Sequence, residues 1–305
     1  MKIAIIGAGA MGCLYACILE KAGEVTLYDV FATAVEAINE HGIVKKEPDG
    51  SESTHFIKAK MSGTDEENAD LVIVFVKDTV SRQAIEQNKT LIGEKTLLMS
   101  LQNGMGNFEV LKEFADEKQI LLGTTKHNCV TLAPGEIFHS GAGVTNIGSP
   151  AGNDDTAKKV VSIFSSCGID AEFCPDVKRL LWQKLFVNMS INALTALLDA
   201  HIGFVSENEH VREIVGTLID EAVAVAACDG EEFDGSAIKK EIISTAGTLA
   251  EGKASMCQDM EHRRRTEIDF INGAVVRLGE KYKIPTPCNR TICALIHAKE
   301  GMYNL

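Results

Sequence analysis

The first half of the chain alternates short apolar runs with amphipathic stretches. Residues 3–6, 25–28, 71–76 and 96–101 are apolar at most positions, as a parallel strand covered on both faces requires. Helical periodicity fills 9–22 between the first two runs and recurs before the later ones. That alternation predicts right-handed crossovers and a doubly wound parallel sheet. Residues 43–60 read as a polar, hairpin-like excursion around Pro48-Asp49-Gly50, and 121–148 as a strand-rich further part of the same sheet. A helix over 155–167 and a last strand over 169–173 complete this half. Past Pro175 the strand signal nearly vanishes, and helical patterns run over 177–198, 209–228, 235–250, 255–278 and 289–299. The expectation is an α/β domain over 1–174 followed by an all-α domain over 175–305.

Two domains suit 305 residues at roughly 100–200 residues per domain. The 43 acidic residues outnumber 30 Lys and Arg, a formal charge of −13, which disfavours nucleic acid and anionic membranes as partners. An anionic substrate must then be caught by local positive charge. No apolar run approaches the length of a bilayer span, and MKIAIIG opens on a strand, not on a secretion signal. The nine cysteines are odd in number and include no CxxC pair, which argues against a disulfide framework or a zinc ribbon. Cys13 and Cys17 read as buried thiols of an apolar helix. The eight histidines show no ligand spacing, so no metal is expected. These features describe a reduced, cytoplasmic protein.

Gly7-Ala8-Gly9-Ala10-Met11-Gly12 is a GxGxxG set between the first strand and the first helix. Gly7 allows the tight turn, Gly9 lets a pyrophosphate reach the backbone, and Gly12 lets helix and strand pack closely. The N–H groups of the helix start, Ala10 and Met11 among them, then face the anion. With strand, helix and second strand in place, the motif reads as a Rossmann-type dinucleotide site and not as a glycine-rich turn without a ligand. Asp29 ends the second strand, 22 residues after Gly7, where a carboxylate accepts hydrogen bonds from the adenosine ribose. The alternative is a solvated turn aspartate. Its charge would repel a 2′-phosphate, and Val30-Phe31-Ala32-Thr33 brings no Lys or Arg. NAD(H) is therefore favoured over NADP(H), which loop geometry still admits.

Residues 180–198, LLWQKLFVNMSINALTALL, are apolar nearly all round, the mark of a buried helix. Within them Lys184, Asn188 and Asn192 recur at i, i+4 and i+8 along one face. Burying these groups without partners would cost several kcal/mol, so they form a polar seam between helices or line a wet cleft. Desolvation eases a proton off a lysine and suits it to general-acid work. Ser255 and Gln258 match a capping box, so Ser255 is an N-cap or an anchor for a substrate carboxylate. Glu267 and Asp269 fall on the long charged helix expected over 255–278, where a solvated face is the plain alternative. Asn103 of Gln102-Asn103-Gly104, and Lys77, end parallel strands, where groups sit over a cofactor crevice; an ordinary turn and a solvent-facing lysine are the alternatives.

GAGAMG at 7–12, Val76-Lys77, QNG at 102–104, WQKLFVNMSINALTAL at 182–197, SMCQD at 255–259 and RRTEIDFING at 264–273 together resemble the ketopantoate reductase (2-dehydropantoate 2-reductase) family. The resemblance spans nearly the whole chain. It implies a helical second domain like that of 6-phosphogluconate dehydrogenase, and a reductase that converts 2-dehydropantoate to (R)-pantoate with NAD(P)H in pantothenate biosynthesis. The alternatives are an NAD-dependent D-2-hydroxyacid dehydrogenase for another branched 2-oxo acid and, more remotely, a non-catalytic dinucleotide sensor. The resemblance places the family's catalytic lysine on Lys184, its substrate amides on Asn188 and Asn192, its active-site serine on Ser255 and its motif glutamate on Glu267. Asn103 matches an amide near the nicotinamide and Lys77 a lysine near the cofactor. A small-molecule 2-oxo acid is thus the expected partner, and the apolar helical domain permits a homodimer. The chain departs from the family pattern at Asp29-Val30, where NADPH users carry a basic residue, and at Ile202 and Gly252, which replace asparagines.

Overall fold

The first apolar runs of the chain become neighbouring strands at the centre of an eight-stranded sheet. The computed structural model describes residues 1–65 and 67–303. One unit comprises Met1–Gln102 and Asn107–Leu180, the other Asn103–Gly106 and Leu181–Leu305. The first unit holds β1 (Lys2–Ile6), α1 (Ala10–Leu19), β2 (Glu24–Asp29), α2 (Ala32–His41), β3 (Ile43–Lys46), β4 (Glu52–His55), β5 (Lys58–Met61), β6 (Leu71–Val74) and α3 (Ser81–Gln87). It continues with β7 (Leu97–Ser100), α4 (Asn107–Leu111), β8 (Ile120–Thr125), β9 (Asn128–Ala133), β10 (Glu136–Gly141), β11 (Thr145–Gly148), α5 (Asp154–Cys167) and β12 (Ala171–Phe173). The expected boundary between 174 and 175 lies just ahead of α6 (Val177–Leu198), whereas the two units part within that helix.

The main sheet runs β12-β11-β8-β7-β6-β1-β2-β5. Strands β5, β2, β1, β6, β7 and β8 are parallel, and β11 runs against β8. The Rossmann-type α/β architecture is therefore borne out. Strand β6, LVIV, is buried at every position. Ile3, Ile5, Leu27 and Ile73 of the sheet share a core with Leu14 and Tyr15 of α1 and Phe164 of α5.

One expectation is corrected here. Of the strand-rich stretch 121–148, only β8 and β11 join the main sheet. Strands β9 and β10 pair with the β3–β4 hairpin in a separate sheet of order β4-β3-β10-β9. This small sheet lies against α1, and Ile137 of β10 enters the same core as Ile38 and Ile43. Burial of that one side chain face selects the pairing.

The second unit carries the rest of α6, then α7 (Phe204–Glu207), α8 (Glu209–Cys228), α9 (Gly235–Thr248), α10 (Ser255–Glu261), α11 (Asn272–Tyr282) and α12 (Pro287–Glu300). Trp182, Phe186 and Met189 of α6 pack in one core with Leu218 of α8, Val275 of α11 and Ile296 of α12. The single helix expected over 255–278 is broken. After α10 the chain leaves helical geometry, Arg263 takes φ +52°, and a short 3₁₀ turn at Ile268–Phe270 leads into α11. The cause is tertiary: Glu300 of α12 accepts hydrogen bonds from the Thr266 N–H and hydroxyl, both at 2.8 Å. Among the described residues no helix is long and apolar enough to cross a membrane.

Candidate active site

Strand β1 ends at Ile6, and the chain turns at Gly7 with φ +109°, a conformation that favours glycine. A Cβ on Gly7 would lie 3.0 Å from the Phe75 carbonyl carbon, and one on Gly12 only 1.8 Å from the Gly7 oxygen. Helix and turn approach this closely because neither residue has a side chain. Gly9 differs, since a Cβ built there meets nothing within 4 Å. It caps α1 with no side-chain capping bond, and Cys13 N–H donates to its carbonyl at 2.9 Å. The N–H groups of Ala10 and Met11 thus fall outside the helix ladder. Two glycines are packed by protein and one is open to a visitor, the division that a pyrophosphate at a helix start needs. The turn fits a dinucleotide.

Asp29, half-buried at the end of β2, is tied into this turn. Its Oδ2 accepts from Ala8 N–H at 2.6 Å and its Oδ1 from Phe31 N–H at 3.0 Å. A carboxylate offers about four lone-pair sites, so acceptors remain for ribose hydroxyls. Lys77 follows β6 and is half-buried. The loops after β6 and β7 are joined by Gln102, whose amide donates to the Val76 carbonyl at 2.5 Å and to Ser81 Oγ at 2.7 Å. No local pattern announces this bracing role, because it depends on residues more than twenty positions away.

In the second unit Lys184, Asn188 and Asn192 are each half-buried, while Leu185, Phe186, Met189 and Ala193 around them are buried. The polar face read from the i, i+4, i+8 spacing is real. The loop bearing Asn103 belongs to this unit as well. Met105 N–H donates to the Phe270 carbonyl at 2.8 Å, and a Cβ on Gly104, at φ +83°, would stand 2.3 Å from that same oxygen. Arg277 closes the other side. It donates to the carbonyls of Asp269 and, at 3.4 Å, Met105, and its guanidinium lies 5.5 Å from the centroid of the Phe270 ring. The Asn103 loop and the turn carrying Glu267 are thereby held as one piece.

Two local expectations change. Ser255 is not an N-cap: Ala254, extended at φ −68° and ψ 151°, caps α10. Gln258 N–H takes the Ala254 carbonyl at 3.1 Å, and the Gln258 side chain donates to Lys253 O at 3.2 Å, so the capping box does not form. Ser255 is exposed as the first helical residue. Glu267 is half-buried at a bend, not on the face of a long helix. Ile202 and Gly252, the two departures from the family pattern, prove to be neighbours. Ile202 N–H donates to Gly252 O at 2.9 Å, and a Cβ on Gly252 would lie 3.2 Å from Ile202 Cδ1.

Among the described residues one trio, Asp199, Cys257 and Glu261, brings ligand atoms within 4.8 Å of one another. The Lys253 ammonium already pairs with Glu261 there. A cavity of about 480 Å³ in the first unit runs along β2 and β5, lined by Lys2, Tyr28, Lys60 and Asp65 among others. Within it Tyr28 and Lys60 both close on Asp65.

Residues 3–152 match the family model Ketopantoate reductase PanE/ApbA, and residues 176–300 match its C-terminal model. The 2-dehydropantoate 2-reductase of Streptococcus pyogenes serotype M6 is 34% identical over 308 residues, covering 100% of both chains. A structure of D-mandelate dehydrogenase with NADH and anilino(oxo)acetate is similar with a TM-score of 0.94 at 30% identity, covering 100% of each chain. The PanE/ApbA family ketopantoate reductase from Ralstonia eutropha JMP134 is similar with a TM-score of 0.90 at 29% identity, again over 100% of each.

Proposed function

The chain belongs to the ketopantoate reductase family, and from that membership we propose that it reduces 2-dehydropantoate to (R)-pantoate with a reduced nicotinamide dinucleotide, the pantoate-forming step of pantothenate biosynthesis. The observation that carries the reading is the row Lys184, Asn188 and Asn192 on an otherwise apolar helix, in the same unit as the Asn103 loop and the Glu267 turn.

When bound, the reduced nicotinamide supplies a hydride to the ketone carbon. Negative charge then grows on the ketone oxygen, and the Lys184 ammonium donates a hydrogen bond to that oxygen and passes it the proton. Lys184 is left as a neutral amine, which solvent reprotonates. Asn188 and Asn192 orient the substrate along the same helix face. The Ser255 hydroxyl donates to the substrate carboxylate. Glu267 accepts a hydrogen bond from the terminal hydroxyl and helps to orient Lys184. On the cofactor side, Gly7, Gly9 and Gly12 with the Ala10 and Met11 N–H groups receive the pyrophosphate, Asp29 the ribose, and Lys77 and Asn103 the remainder.

NADH is the preferred donor in this reading. Asp29 is already immobilised beside the glycine turn, and its charge opposes a 2′-phosphate. NADH in the similar D-mandelate dehydrogenase structure supports the same choice. The nine free cysteines and the biosynthetic reaction agree with a cytoplasmic location.

The test is a kinetic matrix of NADH and NADPH against several 2-oxo acids. We expect 2-dehydropantoate with NADH to give the highest kcat/KM. Negligible turnover of 2-dehydropantoate would remove the substrate assignment, and a higher kcat/KM with NADPH would remove the argument from Asp29.

A further inference from the structure

The turn that carries Glu267 is gripped by α12, and the grip runs through a histidine. His297 has a carboxylate on each ring nitrogen: Nδ1 lies 3.0 Å from Glu300 Oε2 and Nε2 lies 3.0 Å from Asp269 Oδ1. Glu300 also accepts the N–H and hydroxyl of buried Thr266. Thr266 and Asp269 bracket Glu267 in the chain. An ionised carboxylate only accepts hydrogen bonds, so a ring that satisfies both acids is an imidazolium. A neutral ring can donate to only one.

We infer that His297 is a positioning residue for Glu267: its protonated ring ties Asp269 of the turn to Glu300 of α12, and loss of the ring proton releases one end of that turn. The inference rests on the role proposed above for Glu267. The other groups around the ring leave this arrangement intact. Arg277 of α11 engages the Asp269 backbone carbonyl, and Lys299 donates to Ala196 O at 2.6 Å. Cys293, one turn earlier on α12, feels Asp269, but burial pushes its thiol up to about 12 and keeps it neutral. Tyr303 feels Glu300 and Arg263. Burial alone would lower the His297 pKa; hydrogen bonds to Glu300 and then Asp269 outweigh it and raise the pKa above the ordinary histidine value.

The test combines an NMR titration of the His297 ring in the whole protein with pH profiles of kcat/KM for 2-dehydropantoate. In the wild type the ring should titrate above about 6.5, and Glu300→Gln should bring it down. The wild-type profile should fall on its alkaline side in step with the ring. His297→Gln should lower kcat/KM about tenfold at neutral pH, mainly through KM, and lose that limb. His297→Lys, a permanent cation over this range, should recover activity and carry the limb to higher pH. A ring titrating at the ordinary value, or a His297→Gln profile that superimposes on wild type, overturns the inference. Glu267→Gln serves as the separating control. If it leaves turnover unchanged, the reading of Glu267 fails and this inference with it; if it impairs turnover while His297→Gln does not, only the inference fails.

Discussion

Gly9 and Gly12 stand three residues apart in one turn, yet a methyl group on each should do different things. Gly12→Ala would place Cβ 1.8 Å from the Gly7 oxygen, forcing α1 off β1 and destabilising the fold by about 1–3 kcal/mol or more. Gly9→Ala meets only open space at an ordinary φ of −77°, so stability should change by no more than about 0.5 kcal/mol. Its effect should appear instead as a rise of about tenfold in the nicotinamide KM, equivalent to about 1.4 kcal/mol. Thermal melts and cofactor titrations separate the two, and an unchanged KM for Gly9→Ala would place the pyrophosphate elsewhere. At Lys184 the expected loss is in chemistry: Lys184→Ala should lower kcat by at least about 10²-fold, checked by steady-state assay. An unaltered kcat would remove Lys184 from proton transfer. The polar row on α6 was legible in the sequence because a helix repeat is a local property. Arg277 and His297 were not, because nothing within a few residues of either announces its partner.

At the scale of elements, buried polar chains decide how the helices meet. Asn272 of α11 donates to Met189 O of α6 at 3.2 Å and to Asn289 Oδ1 at 3.0 Å. Asn289, at the start of α12, donates to Glu221 Oε2 of α8 at 2.8 Å. Glu221 also receives the N–H groups of Cys288 and Asn289 at 2.7 and 3.0 Å. Both asparagines are wholly buried, so these bonds fix three helices, α8, α11 and α12, around the α6 segment with the proposed chemistry. Asn289→Leu would take away one of the two acceptors of the Asn272 amide and the side-chain donor to Glu221, leaving Met189 O and the backbone N–H groups in place, and should cost about 1–2 kcal/mol, read as a lower urea midpoint. A cost below about 0.5 kcal/mol would mean that the chain is not what holds these helices. None of this is visible as periodicity: Asn272 falls inside the helix expected over 255–278, and Asn289 at the start of the one expected over 289–299.

For the whole molecule the clearest coupling to solvent is proton uptake. His127, following β8, shares a hydrogen bond with His139 at 3.0 Å, and His139 in turn meets Glu47 Oε2 at 3.0 Å. Burial first, and then the neighbouring His139, lower the His127 pKa below the ordinary histidine value. The unfolded chain therefore takes up a proton near pH 6.5 that the folded chain refuses, and stability falls as pH drops below about 6.5. His297 has the opposite sign: the stability it adds is present below about 6.5 and fades as pH rises through its raised folded value. Urea midpoints measured from pH 5 to 9 should show the acid-side loss, and His127→Gln should flatten it. An unchanged acid slope in that variant would assign the loss to other groups.

Local sterics and periodicity were enough to define the glycine turn, the parallel strands, the helical second half and the polar face of α6, since each depends on residues within a few positions. Long-range contacts decided the rest. They sent β9 and β10 to the β3–β4 hairpin, moved the Asn103 loop into the helical unit and broke the helix expected over 255–278. The Arg277–Met105 bond spans 172 positions and the His297–Asp269 pair 28. Such pairings follow from which buried donor finds which acceptor once the chain has folded back, and a repeat of two or 3.6 residues carries no record of that.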